Sequence, residues 1–122
     1  MKKRLLLIVM VFLQVSITAM SQKILRYNVN KKQVNITTID GTLTIIPLTD
    51  NAVRTIFSKQ VYRVMPELVY VENLKNPTFN VKDNNDKVSI CLKNITVEID
   101  RNTGLISYLN KNGKQILAEN GR

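Results

Sequence analysis

No histidine occurs in this 122-residue chain. A Ser-His-Asp triad, a Cys-His pair and every zinc site that uses an imidazole are therefore excluded within it. Tryptophan is absent too, which weakens the case for a dedicated sugar-stacking face, where a large amphipathic ring serves best. The single cysteine, Cys91, cannot close an internal disulfide. Set between Ile90 and Leu92, it reads as a small apolar residue of a strand. Carboxylates are scarce: 9 Asp+Glu stand against 18 Lys+Arg, a formal net charge of +9. The basic excess is scattered over Lys31-Lys32, Arg54, Lys59, Arg63, Lys82 and Lys87. That spacing fits solvated loops and strand edges, and with no basic stripe or stacking platform it excludes a nucleic-acid groove.

What is present begins with a leader. Lys2, Lys3 and Arg4 form a basic head, Leu5 to Leu13 an unbroken apolar run, and Ala19-Met20-Ser21 offers small residues where a signal peptidase reads them. This is the layout of a secretory signal, with cleavage predicted after Ser21. A membrane anchor needs about 20 apolar residues, and Gln14, Ser16 and Thr18 interrupt the run before that length. The product is expected to be secreted or periplasmic, with no membrane attachment after cleavage. Cys91 lies too far from the cleavage site to carry a lipid. The chain then divides into a signal peptide, 1–21, and one small domain, 22–122. With the leader go 3 of the 18 basic residues, so the remaining 101 residues carry 15 against 9, or +6.

The domain reads as short strands. Gln33 to Ile39 places Val34 and Ile36 on one face, and Asp40-Gly41 follows, a pair suited to the positive φ angles of a tight hairpin. Thr42 to Ile46 returns with Leu43 and Ile45. Pro47, unable to donate to a ladder, is expected to end that strand or put it at an edge. Asp50-Asn51 is a turn, and Ala52 to Phe57 carries Val53, Thr55 and Phe57 on one side. Ser58 to Leu74 is irregular, a long connection with a short strand in it. Lys75-Asn76-Pro77 breaks the chain before a strand at Thr78 to Lys82, and Asp83 to Lys87 is a turn. Val88, Ile90 and Leu92, then Ile95, Val97 and Ile99, alternate with Ser89, Cys91, Thr96, Glu98 and Asp100. Asp100 to Gly104 and Asn110 to Gly113 are the remaining turn signals. Period-two alternation marks half-buried strands. Eight or nine of them with no sustained helical period predict an all-β antiparallel sandwich.

Candidate sites are few. Asp83-Asn84-Asn85-Asp86 could offer oxygens to calcium, but it lacks the alternating ligands, central glycine and distal glutamate of a calcium loop. It reads as a polar turn. Glu98 and Asp100 share a strand face and could approach the spacing of a glycosidase acid pair, yet the alternation already explains them as solvent-facing. Tyr27, Tyr62, Tyr70 and Tyr108 could stack on sugar rings, with core or edge packing as the default. Asn35-Ile-Thr37 and Asn94-Ile-Thr96 match the glycosylation sequon, but both lie in or beside strands and the leader looks bacterial, so they read as chance matches. Nothing implies a metal or a cofactor.

Three stretches taken together carry a family resemblance. The first is Val34-Asn-Ile-Thr-Thr-Ile-Asp-Gly-Thr-Leu-Thr-Ile45 followed by Asn51-Ala-Val-Arg-Thr-Ile-Phe57. The second is Phe79-Asn-Val81 followed by Val88-Ser-Ile-Cys-Leu-Lys-Asn-Ile-Thr-Val-Glu-Ile-Asp100. The third is Asp100-Arg-Asn-Thr-Gly-Leu-Ile-Ser-Tyr-Leu-Asn-Lys-Asn-Gly-Lys-Gln-Ile-Leu-Ala-Glu119. In this order they resemble the N-terminal domain of glycoside hydrolase family 31, the α-glucosidases and α-xylosidases. The resemblance implies a galactose-mutarotase-like β-sandwich, here incomplete, packed against a catalytic (β/α)₈ barrel. It also implies retaining hydrolysis of α-linked oligosaccharides by two aspartates on that barrel. No position here matches the catalytic motifs, so no catalytic residue is assigned and the chain alone is expected to be inactive. A loop from such a domain can reach the active-site rim, and Tyr62, Met65 and Tyr70 are the candidate rim residues. The expected function is that of a non-catalytic fragment of a secreted α-glycosidase that stops before its barrel. The alternative is a complete small secreted module that binds carbohydrate or protein.

Overall fold

Alternation along the chain becomes two antiparallel sheets in the computed structural model, which describes residues 22–59 and 75–120. Among these residues there are nine strands and no helix. The first sheet is a meander of β1 (Ile24–Val29), β2 (Val34–Thr38), β3 (Thr42–Thr49) and β4 (Ala52–Ser58). The second runs through β5 (Asn80–Asp83), β6 (Lys87–Cys91), β7 (Ile95–Asp100), β8 (Ile106–Asn110) and β9 (Gln115–Ala118), again in chain order.

Register puts the apolar residues together. Ile36 pairs with Leu43, and Val34 with Ile45. In the second sheet Val88 pairs with Ile99, Ile90 with Val97, and Ile99 with Ile106. These residues, with Ile24 and Leu92, form one buried core shared by both sheets, and Val53, Phe57, Val81 and Tyr108 pack around it. Each fully buried isoleucine or valine contributes roughly 1.5–3 kcal/mol relative to exposure. The sheets also meet through polar groups. Thr55 Oγ1 and the Tyr108 hydroxyl lie 3.0 Å apart, the Ile24 N–H donates to the Arg101 carbonyl at 2.9 Å, and the Asn94 N–H donates to that of Asp50 at 3.2 Å. The result is the expected all-β sandwich of two antiparallel sheets over one core.

Side chains that fold back on the backbone make the turns. Asn30 Oδ1 accepts from the N–H groups of Lys32 and Gln33 at 2.8 and 2.9 Å. Asn84 does the same for Asp86 and Lys87, Asp100 for Asn102 and Thr103, and Asn110 for Asn112 and Lys114. Four hairpin connections thus open on an Asx residue, the local bonding that suits these side chains to turns.

Several expectations are corrected. Pro47 lies within β3, fully buried. The β2–β3 ladder ends at Val34–Ile45, so only β4 accompanies Pro47, opposite Val53, and no missing donor is felt. The Asp40-Gly41 turn contains no positive φ. Glycine is required there by space instead, because a Cβ would collide with the Ser58 carbonyl oxygen. The positive φ angles belong to Gly104 (68°) and Gly113 (77°). β5 starts at Asn80 rather than Thr78. β1 is an additional strand whose alternation is broken by an irregularity between Ile24 and Arg26. The irregular stretch Ser58 to Leu74, with its short strand, falls outside the described residues from position 60 onward.

Candidate functional site

The outer face of the second sheet gathers four of the domain's nine carboxylates. Glu98 on β7 stands beside Ser89 on β6 and Ser107 on β8. With Asp86, Asp100 and Glu119 it borders a shallow depression of about 380 Å³. Alternation on β7 places Glu98 and Asp100 there together, as the sequence implied. Both carboxylates are already committed. Glu98 accepts from the Lys87 ammonium at 2.7 Å. Asp100 accepts from the Thr103 and Asn102 N–H groups at 2.8 Å each. Those hydrogen bonds, the Thr103 N–H foremost, hold the Asp100 carboxyl below the usual carboxylate range against a partial desolvation that pushes it up. A glycosidase acid needs its pKa raised. Asp100 is shifted the opposite way, and the pair has the chemistry of a turn and a surface ion pair.

A second polar cluster joins the two sheets and was not foreseen from sequence. The Arg101 guanidinium pairs with Asp83 at the end of β5 and donates from Nε to the Asn84 carbonyl at 2.9 Å. The Tyr27 hydroxyl of β1 hydrogen-bonds to the same Asp83. Arg101 first and Tyr27 second keep the Asp83 carboxyl low, and the bond to Asp83 raises the Tyr27 phenol. The cluster borders a depression of about 400 Å³ with Asn84 and Asn85. The signal that could have found it is hairpin register: β6 and β7 pair end to end, so the turns before and after them meet. The Arg101 N–H donates to the Asp86 carbonyl at 2.8 Å. The Asp83 carboxylate pairs with the Arg101 guanidinium, Asp86 meets Arg101 through its backbone carbonyl, and no His/Cys/Asp/Glu group suited to a metal exists among the described residues.

At the opposite end of the sandwich a shallow groove runs along Asn76, Pro77 and Thr78. One side is formed by Thr49, Asp50 and Asn51, about 500 Å³, and the other by Val29, Asn30 and Lys31, about 330 Å³. Its wall mixes amides, hydroxyls, one carboxylate and ammonium groups with the apolar side chains of Val29, Pro77 and Phe79. The turn atoms are partly used: the Asn94 side-chain amide donates to Asn51 Oδ1 at 2.7 Å.

The sequence-derived sugar stackers fare differently. Tyr27 and Tyr108 pack against the core as half-buried residues. Tyr62, Met65 and Tyr70, the candidate rim residues, lie outside the described residues. Of the sequons, Asn35 Oδ1 accepts from Gln33 Nε2 and Thr44 Oγ1, and Asn94 bonds to Asn51. Cys91 is a free, half-buried thiol opposite Thr96 on the outer face.

The class defined by this fold is an antiparallel two-sheet β-sandwich domain. No family model matches the chain, and no curated protein matches it by sequence. Solved structures do match in fold. A cycloalternan-forming enzyme from Listeria monocytogenes, in complex with a pentasaccharide substrate, superposes with a TM-score of 0.63 at 15% identity over 80% of this chain. An uncharacterised protein from Listeria monocytogenes EGD-e gives the same values, both alone and in complex with α-D-glucose, β-D-glucose, magnesium and calcium. In each case the chain spans about 9% of the length of the structure that it matches.

Proposed function

We propose that this chain is a non-catalytic β-sandwich domain of a secreted retaining α-glycosidase related to glycoside hydrolase family 31. In the whole enzyme it packs on a (β/α)₈ barrel that hydrolyses α-linked oligosaccharides. The observation that carries this reading is the fold match over 80% of the chain to a small part of an enzyme solved with a pentasaccharide substrate. The commitment of Glu98 to Lys87 and of Asp100 to its own turn supports a scaffold role. The leader at 1–21 supports export.

The purified chain is assayed on α-linked nitrophenyl glucosides and xylosides, and the reading frame beyond codon 122 is sequenced. The expected results are no turnover and a frame continuing into a barrel-length sequence. Turnover abolished by Glu98→Gln or Asp100→Asn would overturn the scaffold reading. A stop codon after Arg122, with cooperative unfolding and oligosaccharide binding by the product, would replace it with a self-contained binding module.

A further inference from the structure

In the turn between β8 and β9 a glycine follows an asparagine, and both residues, Asn112 and Gly113, are exposed. A Cβ built on Gly113 would meet nothing within 4 Å. Neither a side chain of its own nor a neighbouring group therefore shields its backbone nitrogen, and glycine gives that nitrogen the widest choice of approach. The Asp40-Gly41 pair is the contrast. There a Cβ would run into the Ser58 carbonyl oxygen, and the Gly41 carbonyl accepts from both the N–H and the Oγ1 of Thr38, at 2.8 and 3.1 Å. One pair is packed and fastened, the other stands open.

We propose that Asn112 is a site of spontaneous deamidation and isoaspartate formation, paced by Asn110. In the first step the Gly113 nitrogen attacks Asn112 Cγ. The N–Cγ bond forms, the Cγ–Nδ2 bond breaks, and the proton of the Gly113 N–H leaves with the amide as ammonia. Water then opens the succinimide ring. Opening at Cγ gives aspartate, and opening at the main-chain carbonyl gives isoaspartate, whose backbone runs through the former side chain. The folded turn restrains the first step. The Gly113 N–H donates to the Asn110 carbonyl at 2.9 Å, and Asn110 Oδ1 accepts from the N–H groups of Asn112 and Lys114 at 2.9 and 3.0 Å. The nitrogen reaches Cγ when these bonds open, so the reaction follows local opening of the hairpin rather than global unfolding. Isoaspartate adds a main-chain atom between Asn112 Cα and Gly113, and a turn of that length cannot keep all three bonds. β9 is held in its sheet by β8 alone, so the damage falls on the hold of β8 upon β9.

The full chain is aged in mildly alkaline buffer, and electron-transfer fragmentation of its peptides locates each converted asparagine and separates isoaspartate from aspartate. Asn112 is expected to convert to both products, faster as the pH rises, while Asp40 stays unchanged. Gly113→Ala abolishes the conversion. Asn110→Ala speeds it by about five-fold, the effect of losing a side-chain hydrogen bond that holds the turn closed. Aged protein enriched in isoaspartate exchanges the amide hydrogens of β9 faster than fresh protein. Should Asn110→Ala fail to fold, the wild type in native buffer and in guanidinium chloride decides, with conversion faster in the denaturant. An Asn112 that stays intact while other asparagines of the folded chain convert would overturn the proposal. A rate that neither Asn110→Ala nor the denaturant changes would overturn the pacing by Asn110.

Discussion

Thr55 and Tyr108, 53 positions apart in sequence, meet with their hydroxyl oxygens 3.0 Å apart. They are the polar fastening between the edge of the first sheet and the second. Both are half-buried at the rim of a core that is otherwise isoleucine, leucine and valine. Tyr108→Phe keeps the ring and removes the bond, at a cost of about 1 kcal/mol. Thr55→Val is expected to cost a similar amount. The double variant should fall short of the sum, and urea unfolding of the four proteins measures the difference as a coupling energy.

Core truncation should be far more severe. Ile36→Ala in β2 and Ile99→Ala in β7 each remove a fully buried side chain from the layer where the sheets meet. Each is expected to cost about 2–5 kcal/mol, a large share of the roughly 5–15 kcal/mol that holds such a domain together. Lys82→Ala, at an exposed position of β5, should leave the urea midpoint nearly unchanged.

Three glycines separate two reasons for being glycine. Gly113 has φ of 77° but open space around it, so Gly113→Ala should cost only the left-handed strain of about 1–2 kcal/mol. Gly104 combines φ of 68° with a backbone carbonyl of Gln22 in the way, and its alanine variant should cost more. Gly41→Ala has no φ penalty, but it drives a methyl into the Ser58 carbonyl and should loosen the β3–β4 end. Thermal melts of the three variants give the order.

Much of this architecture is legible in the sequence, and the exceptions have physical causes. Val88 to Leu92 and Ile95 to Asp100 announce two strands because alternation is unbroken within each and shifts between them, and Asn84, Asp100 and Asn110 announce turns because their side chains bond their own backbones. β1 is hidden because the irregularity near Leu25 spaces the inward residues Ile24 and Tyr27 by three rather than two. Pro47 misleads because a ladder partner can end before the proline does. Tyr27, Asp83 and Arg101 are joined by sheet-on-sheet packing, which no local pattern encodes. Of the candidate site, Glu98 and Asp100 were legible as a shared face, and their partners Lys87 and Thr103 required hairpin register to see.

Acid should undo the turn carboxylates. Asp83 and Asp100 both have folded-state pKa values below those of the unfolded chain. The stability that they confer is complete above the unfolded carboxylate value near 3.9 and is lost as the pH falls through the folded values. Thermal unfolding followed from about pH 5 down to about pH 2 should show the wild type declining. Asp83→Asn and Asp100→Asn should start lower and decline less. Tyr27 acts at the other end of the scale. Its raised phenol pKa confers stability below the unfolded tyrosine value near 10, lost as the pH rises through the folded one.

Both sheets are meanders in which every ladder joins strands adjacent in the chain. Within each sheet, backbone pairing therefore requires closing only short loops, an inexpensive entropic step. Among the described residues, the strands pass from the first sheet to the second once, between β4 and β5. Folding is then two local ribbons zipping up and a single long-range event, the meeting of their greasy faces. Local pairing of this kind favours speed. Neither ribbon has a dry interior until the other arrives, so the two are expected to unfold as one cooperative unit.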